Sequence, residues 1–179
     1  FGPKRFAEGW ALNTIVTAQS GRPVPIVSAN DTSAFFNDNF NTRSNFHQRP
    51  NVVPGVNPIN SNWDEAPDFI GYLNGAAFEQ PADGTFGNLG RNAIFGPKFW
   101  NADFALSKST QIFDRLNLQF RAEFFNIFNH PNFALPNFFV DPGSSQQGLI
   151  TQTPDQAQTN PGLGGGGPRV VQLGVKLIF

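Results

Sequence analysis

The sequence contains no cysteine, which removes disulfides, thiolate metal sites and cysteine nucleophiles together. It contains no methionine, so the chain reads as an internal or C-terminal piece of a longer protein. No basic-then-apolar start marks a signal peptide. Charge is scarce: 14% of residues are charged, against about 25% in typical soluble domains. The 12 basic residues nearly balance the 13 acidic ones, so the formal charge of -1 gives no general pull on nucleic acid. No stretch approaches the roughly 18 consecutive apolar residues of a membrane helix.

What is present is equally unusual. The 179 residues include 21 Phe, 18 Gly and 15 Pro. Mean hydropathy is nevertheless -0.28. Many aromatics, few charges and no apolar run fit a chain whose apolar and polar residues alternate, the composition of membrane β-strands.

Four segments show that alternation, and no helical period competes with it. In 9–19, Trp10, Leu12, Thr14, Val16 and Ala18 share one face. In 99–112, Trp100, Ala102, Phe104, Leu106 and Ile112 lie opposite Asn101, Asp103, Ala105, Ser107, Ser109 and Gln111. In 116–128, Leu116, Leu118, Phe120, Ala122 and Phe124 oppose Asn117, Gln119, Arg121 and Glu123. In 169–179, Val171, Leu173, Val175, Leu177 and Phe179 alternate with Val170, Gln172, Gly174, Lys176 and Ile178. Globular strands mostly have about 5 or 6 residues. A tilted strand crossing a bilayer needs about 9 to 11, and these runs reach that length.

The connections carry the same message. Phe113-Asp114-Arg115 is a three-residue link, which keeps the apolar faces aligned by pairing Ile112 with Leu116 and Phe104 with Phe124. Residues 20–98 and 129–168 are long, aperiodic and rich in Gly, Pro and Asn. Short turns on one side and long loops on the other are the habit of outer-membrane barrels. The expected fold is therefore all-β: antiparallel strands forming the C-terminal part of a large transmembrane β-barrel, with two long extracellular loops.

Several stretches carry a family likeness. They are Phe86-Gly87-Asn88-Leu89-Gly90-Arg91-Asn92, Gly96-Pro97-Lys98-Phe99-Trp100-Asn101-Ala102-Asp103, Leu118 through Phe133, and the closing Val175-Lys176-Leu177-Ile178-Phe179. Together they resemble the C-terminal barrel end of TonB-dependent outer-membrane receptors of the Oar-like group, whose N-terminus carries a carboxypeptidase-regulatory-like domain. The resemblance covers most of the chain and is strongest over 86–133. It implies a barrel of about 22 strands, plugged by an N-terminal domain and energised through the inner-membrane TonB complex. It implies uptake of a large or scarce nutrient: a ferric chelate, cobalamin, a saccharide or a peptide. The plug and the TonB-contacting box are not in this sequence, so no residue is assigned to them.

Candidate functional residues follow. Asp103, Gln119, Arg121 and Glu123 lie on the polar, lumen-facing side, as solvated wall or plug-docking residues before direct substrate contacts. Lys108 falls on the apolar side by parity and is expected to snorkel toward headgroups near the turn. Val171, Leu173, Val175, Leu177 and Phe179 resemble the signal read by the barrel-assembly machinery; an unpaired strand edge is a template for pairing. The partners expected are outer-membrane lipid, that machinery and the TonB complex, with no nucleic acid. No cofactor, metal or catalytic residue is expected. His47 and His130 are isolated loop histidines. Asp64, Glu65 and Asp68 lack Ca²⁺-loop spacing. Gly164 to Gly167 lack the Lys-Ser/Thr of a phosphate loop, and Asn30-Asp31-Thr32 is a sequon without consequence in a bacterium. The aromatics of the first loop (Phe35, Phe36, Phe40, Phe46, Trp63, Phe69, Tyr72 and Phe78) are expected to pack that loop before they stack on a ligand. The chain is read as no enzyme. The alternatives are a passive porin or surface adhesin barrel, or a soluble β-sandwich carbohydrate-binding module.

Overall fold

The computed structural model describes residues 4–28, 48–64, 71–140, 147–157 and 165–179. In chain order the elements are a single helical turn α1 (Lys4–Ala7) and strands β1 (Trp10–Gln19), β2 (Pro23–Val24), β3 (Val27–Ser28), β4 (Asn51–Val52), β5 (Phe78–Glu79), β6 (Ile94–Phe95), β7 (Phe99–Phe113), β8 (Leu116–Phe125), β9 (Phe139–Val140) and β10 (Val170–Ile178). A short 3₁₀ turn covers Gly75–Ala77. The fold is all-β. The chain forms two compact units.

The first unit comprises Phe1–Ser20, Lys98–Phe133 and Thr153–Phe179. Its four long strands make one antiparallel sheet in the order β1-β7-β8-β10. The register aligns the alternation of all four. Leu12 pairs with Leu106, Leu106 with Ala122 and Ala122 with Leu173. The next row runs Thr14, Phe104, Phe124 and Val171. On the other face, Asn13, Ala105, Glu123 and Gln172 form a row beside Ala11, Ser107, Arg121 and Gly174. A one-residue slip in any strand would move its apolar set to the wrong side, so the pattern fixes the parity of the register.

Strand length fits a membrane. The 10 residues of β1, at about 3.3 Å each, span about 33 Å. A tilt of about 40° reduces this to about 25 Å, the height of the apolar band of an outer-membrane barrel.

Three local features differ from the sequence expectation. First, Phe104 does pair with Phe124, but the last pair before the turn is Phe113 with Leu116, not Ile112 with Leu116. A bulge between Gln111 and Phe113 accommodates Ile112, which shortens the link to Asp114-Arg115. Bulges of this kind sharpen local twist at barrel rims. Second, β1 starts at Trp10 because Gly9 has φ +79, and a Cβ there would stand 2.2 Å from the Ser109 carbonyl oxygen. Third, β8 stops at Phe125 because Asn126 turns to φ 49.

The second unit comprises Gly21–Pro97 and Ala134–Gln152. The sequence reads these stretches as aperiodic loop. They contain three two-stranded pairs, β2–β6, β3–β9 and β4–β5. They also hold a hydrophobic core of their own, including Val24, Ile26, Leu73, Phe78, Ile94 and Val140. Fully burying a side chain of this size contributes about 2 kcal/mol. Asparagine side chains replace much of the missing ladder. Val52 N–H donates to Asn88 Oδ1 at 2.8 Å, and Asn88 N–H donates to Asn51 Oδ1 at 3.0 Å. Asn60 Nδ2 donates to the carbonyls of Gly71 (2.6 Å) and Leu73 (3.2 Å). Strands of two residues have too little alternation to register as a period, so these pairs are not legible in the sequence.

Candidate functional site

The apolar face of the long sheet is its first functional feature. Leu12 is 61% exposed, Leu173 67% and Val175 70%, so no second protein layer covers them. A soluble sandwich would bury such rows against a facing sheet. Aromatics mark both ends of the band. Trp10, Phe113 and Phe179 are exposed at the end that carries the Asp114-Arg115 turn, and Trp100 and Phe128 at the other. That distribution is the interfacial girdle of barrel proteins.

Lys108 sits within the apolar face, with Trp10 and Phe120 as its register neighbours. Its ammonium donates to the Glu8 carbonyl and lies 5.2 Å from the centroid of the Trp10 ring. Trp10 Nε1 in turn donates to the Phe6 carbonyl at 2.8 Å. The cation thus leaves the hydrocarbon for backbone oxygen at the rim, the geometry of snorkelling.

The polar face carries Gln119, Arg121 and Glu123 in a single strand. Arg121 and Glu123 form an ion pair at 2.7 Å, with Arg121 58% exposed. With Arg121 largely in solvent, the pair contributes at most about 1 kcal/mol. Ser109 Oγ donates to Asn117 Oδ1 across strands at 2.9 Å.

Asp103 differs from its neighbours on this face. Its Oδ1 accepts from Asn101 Nδ2 at 2.8 Å and from the Asn126 N–H at 2.9 Å. It holds the turn that ends β8, a positioning task that sequence parity alone did not reveal. Asn126, 3% exposed, is the centre of that turn. Its Oδ1 accepts the His130 N–H at 3.0 Å, and its Nδ2 donates to the carbonyls of His130 and Gly167, both at 2.9 Å. Asn132 exchanges two 3.0 Å bonds with the Trp100 backbone, and Asn129 Oδ1 accepts the Arg169 N–H at 3.1 Å. The His130 ring lies 4.3 Å from Trp100. The run Asn126-Ile127-Phe128-Asn129-His130-Pro131-Asn132 therefore clamps the ends of β7, β8 and β10. Asparagines at 126 and 129 before Pro131 are turn chemistry, a signal present in the sequence.

A cleft of about 250 Å³ lies beside this clamp, lined by Asn101, Asp103, Asn126, Asp155 and the glycines 165–167. Among the described residues, no three His, Asp or Glu side chains group together as metal ligands.

Of the remaining sequence candidates, Val171, Leu173, Val175 and Leu177 lie on the apolar face of β10. That strand pairs with β8 on one side and with no other strand among the described residues. Trp63 packs edge-on against Tyr72 at 4.9 Å, and Phe78 is buried in the second unit's core. The Tyr72 hydroxyl donates to the Phe95 carbonyl at 2.7 Å, and burial pushes its phenol pKa up from 10.0. His47, Glu65, Asp68, the sequon 30–32, Gly164 and the aromatics Phe35, Phe36, Phe40, Phe46 and Phe69 lie outside the described residues.

A family model described as an outer membrane beta barrel domain matches residues 3–172. No curated protein and no solved structure matches the chain. The match covers nearly the full length, and it agrees with strands of membrane-spanning length, an uncovered apolar face and aromatics at both rims. The chain belongs to the outer membrane β-barrel family and resides in the bacterial outer membrane.

Proposed function

We propose that the chain forms part of the wall and mouth of a TonB-dependent transporter that takes up a large or scarce nutrient. The observation that carries this reading is the two-faced sheet. One side is built for lipid, and the other presents Gln119, Arg121, Glu123 and Lys176 to an aqueous interior. Four strands leave two open edges, and a membrane admits no lipid-exposed edge, so further strands complete the barrel. The resemblance of 86–133 to Oar-like receptors supports energised uptake over passive diffusion. The folded second unit, with its own core, supports a shaped receptor surface rather than simple tethers.

In this reading the chain itself performs no chemistry. Its partners are outer-membrane lipid along the apolar rows and the TonB complex acting through an N-terminal plug. The apolar positions 171, 173, 175 and 177, with Phe179, are the contact for the barrel-assembly machinery. The two long connections leave the sheet at the end opposite the tight turn and are assigned to the cell exterior.

The test is growth and radiolabel uptake in the native bacterium on limiting ferric chelate, cobalamin, saccharide or peptide. Deleting the gene is expected to abolish uptake of one of these, and removing TonB to reproduce that loss. Uptake that depends on the gene and persists without TonB would make the protein a passive pore. Loss of surface attachment with no uptake defect would make it an adhesin.

A further inference from the structure

Charge obeys the parity of the long sheet. The carboxylates of β7 and β8, Asp103 and Glu123, lie on the polar face, and β1 and β10 contain none. The apolar face carries cations instead. Lys108 lies within it near the tight turn, tied to the Glu8 carbonyl. At the opposite end, Lys98 precedes β7 and Arg169 precedes β10, and they continue the parity of Trp100 and Val171. Both are exposed, and neither forms an ion pair among the described residues. Cations at a membrane rim are drawn to anionic headgroups.

The β8 clamp fixes an aromatic ring beside these cations. Asn132 holds Trp100 by its backbone N–H and carbonyl, both at 3.0 Å. The Trp100 ring packs against His130 at 4.3 Å and Phe128 at 5.8 Å, yet stays 36% exposed. Asn129, next to His130, accepts the Arg169 N–H at 3.1 Å, so the same run anchors the backbone that carries the guanidinium. A guanidinium binds phosphate oxygens two at a time. A pinned indole offers an apolar plane with a polar edge, suited to the level where chains meet headgroups.

We propose that this rim docks a phosphorylated glycolipid of the outer leaflet, with Arg169 and Lys98 on its phosphates and a headgroup sugar against Trp100. Charge complementarity selects a phosphate-bearing lipid. The pinned ring selects a saccharide headgroup, because phosphoglycerol has no sugar ring to cover it. The proposal rests on the outward assignment of this end of the sheet and not on which nutrient the barrel carries.

The test is native mass spectrometry of the detergent-solubilised full-length protein titrated with diphosphorylated lipid A, its dephosphorylated form and phosphatidylglycerol. Lipid A is expected to bind best and to be displaced by salt. R169A is expected to weaken it about tenfold, the worth of one charge-assisted bond. That variant keeps the clamp, since Asn129 binds the Arg169 backbone. W100L is expected to weaken lipid A and leave phosphatidylglycerol unchanged. R115A, in the tight turn, is expected to bind as the wild type does. Equal binding of the dephosphorylated form or of phosphatidylglycerol, or wild-type affinity in R169A, would overturn the proposal. The outward assignment has its own readout: a cysteine placed at Arg115 should resist an impermeant maleimide in intact cells. Its labelling would overturn that assignment and the proposal with it, whereas uptake that persists without TonB would overturn only the transporter reading.

Discussion

Replacing Asn126 by alanine removes the centre of the clamp at the end of β8. Three side-chain hydrogen bonds disappear: one accepted from the His130 N–H and two donated to the carbonyls of His130 and Gly167. The site is nearly sealed, at 3% exposure, so water does not replace them freely. Each bond is worth about 1 kcal/mol net. Asn126 also sits at φ 49, where alanine pays about 1 kcal/mol that asparagine tolerates better. The expected loss is about 4 kcal/mol, a large part of the stability of one domain. The assay is urea unfolding of the full-length protein in lipid vesicles, followed by tryptophan fluorescence. Asn126→Gly separates the terms, because glycine relieves the backbone strain and restores no hydrogen bond; it should recover about 1 kcal/mol. Asn126→Asp keeps the acceptor for His130 but faces two carbonyl oxygens with a third oxygen, so it should be no better than alanine. A loss below about 1 kcal/mol in N126A, or wild-type stability in N126D, would refute the clamp.

Leu173→Arg puts a charge on the apolar face near the middle of β10 and should cost about 2–4 kcal/mol in vesicle unfolding. Gln172→Arg, one residue away on the opposite face, should be nearly neutral, and equal costs would remove the two-faced reading. Tyr72 keeps its proton in the folded state beyond the pH at which the unfolded chain loses it, since burial raises its pKa from 10.0. Its contribution is therefore full below about pH 10 and declines above it. Unfolding midpoints at about pH 8 and about pH 11 should show that decline, and Tyr72→Phe should lessen it; an unchanged slope in the variant would clear Tyr72. Phe179→Ala should lower the amount of protein inserted in the outer membrane, read by surface proteolysis, and wild-type levels would exclude a role in assembly.

Legibility followed the length of the repeating signal. Ten residues of alternation in 10–19 or 116–125 repeat one instruction often enough to be read from the chain alone. Membrane sheets obey it strictly because lipid and water lie on opposite sides. The bulge at Ile112 is invisible by the same logic: a bulge adds one residue without changing composition, and local twist decides it. The early end of β8 was present in the sequence as Asn126 and Asn129, yet Ile127 and Phe128 continued the apolar texture and masked it.

The family and its place in the outer membrane were set by sequence alone, because hydrophobic parity and strand length are properties of the chain itself. So was the Phe104–Phe124 register, since a short link between the two strands combined with matching parity leaves that pairing. The core of the second unit was decided by tertiary structure. Val24, Leu73, Ile94 and Val140 are far apart along the chain and meet only when it folds. The same holds for the cleft, where Asp103 and Asp155 stand 52 positions apart in the sequence. Contacts between distant residues leave no local period, so only the folded backbone brings them to one cleft.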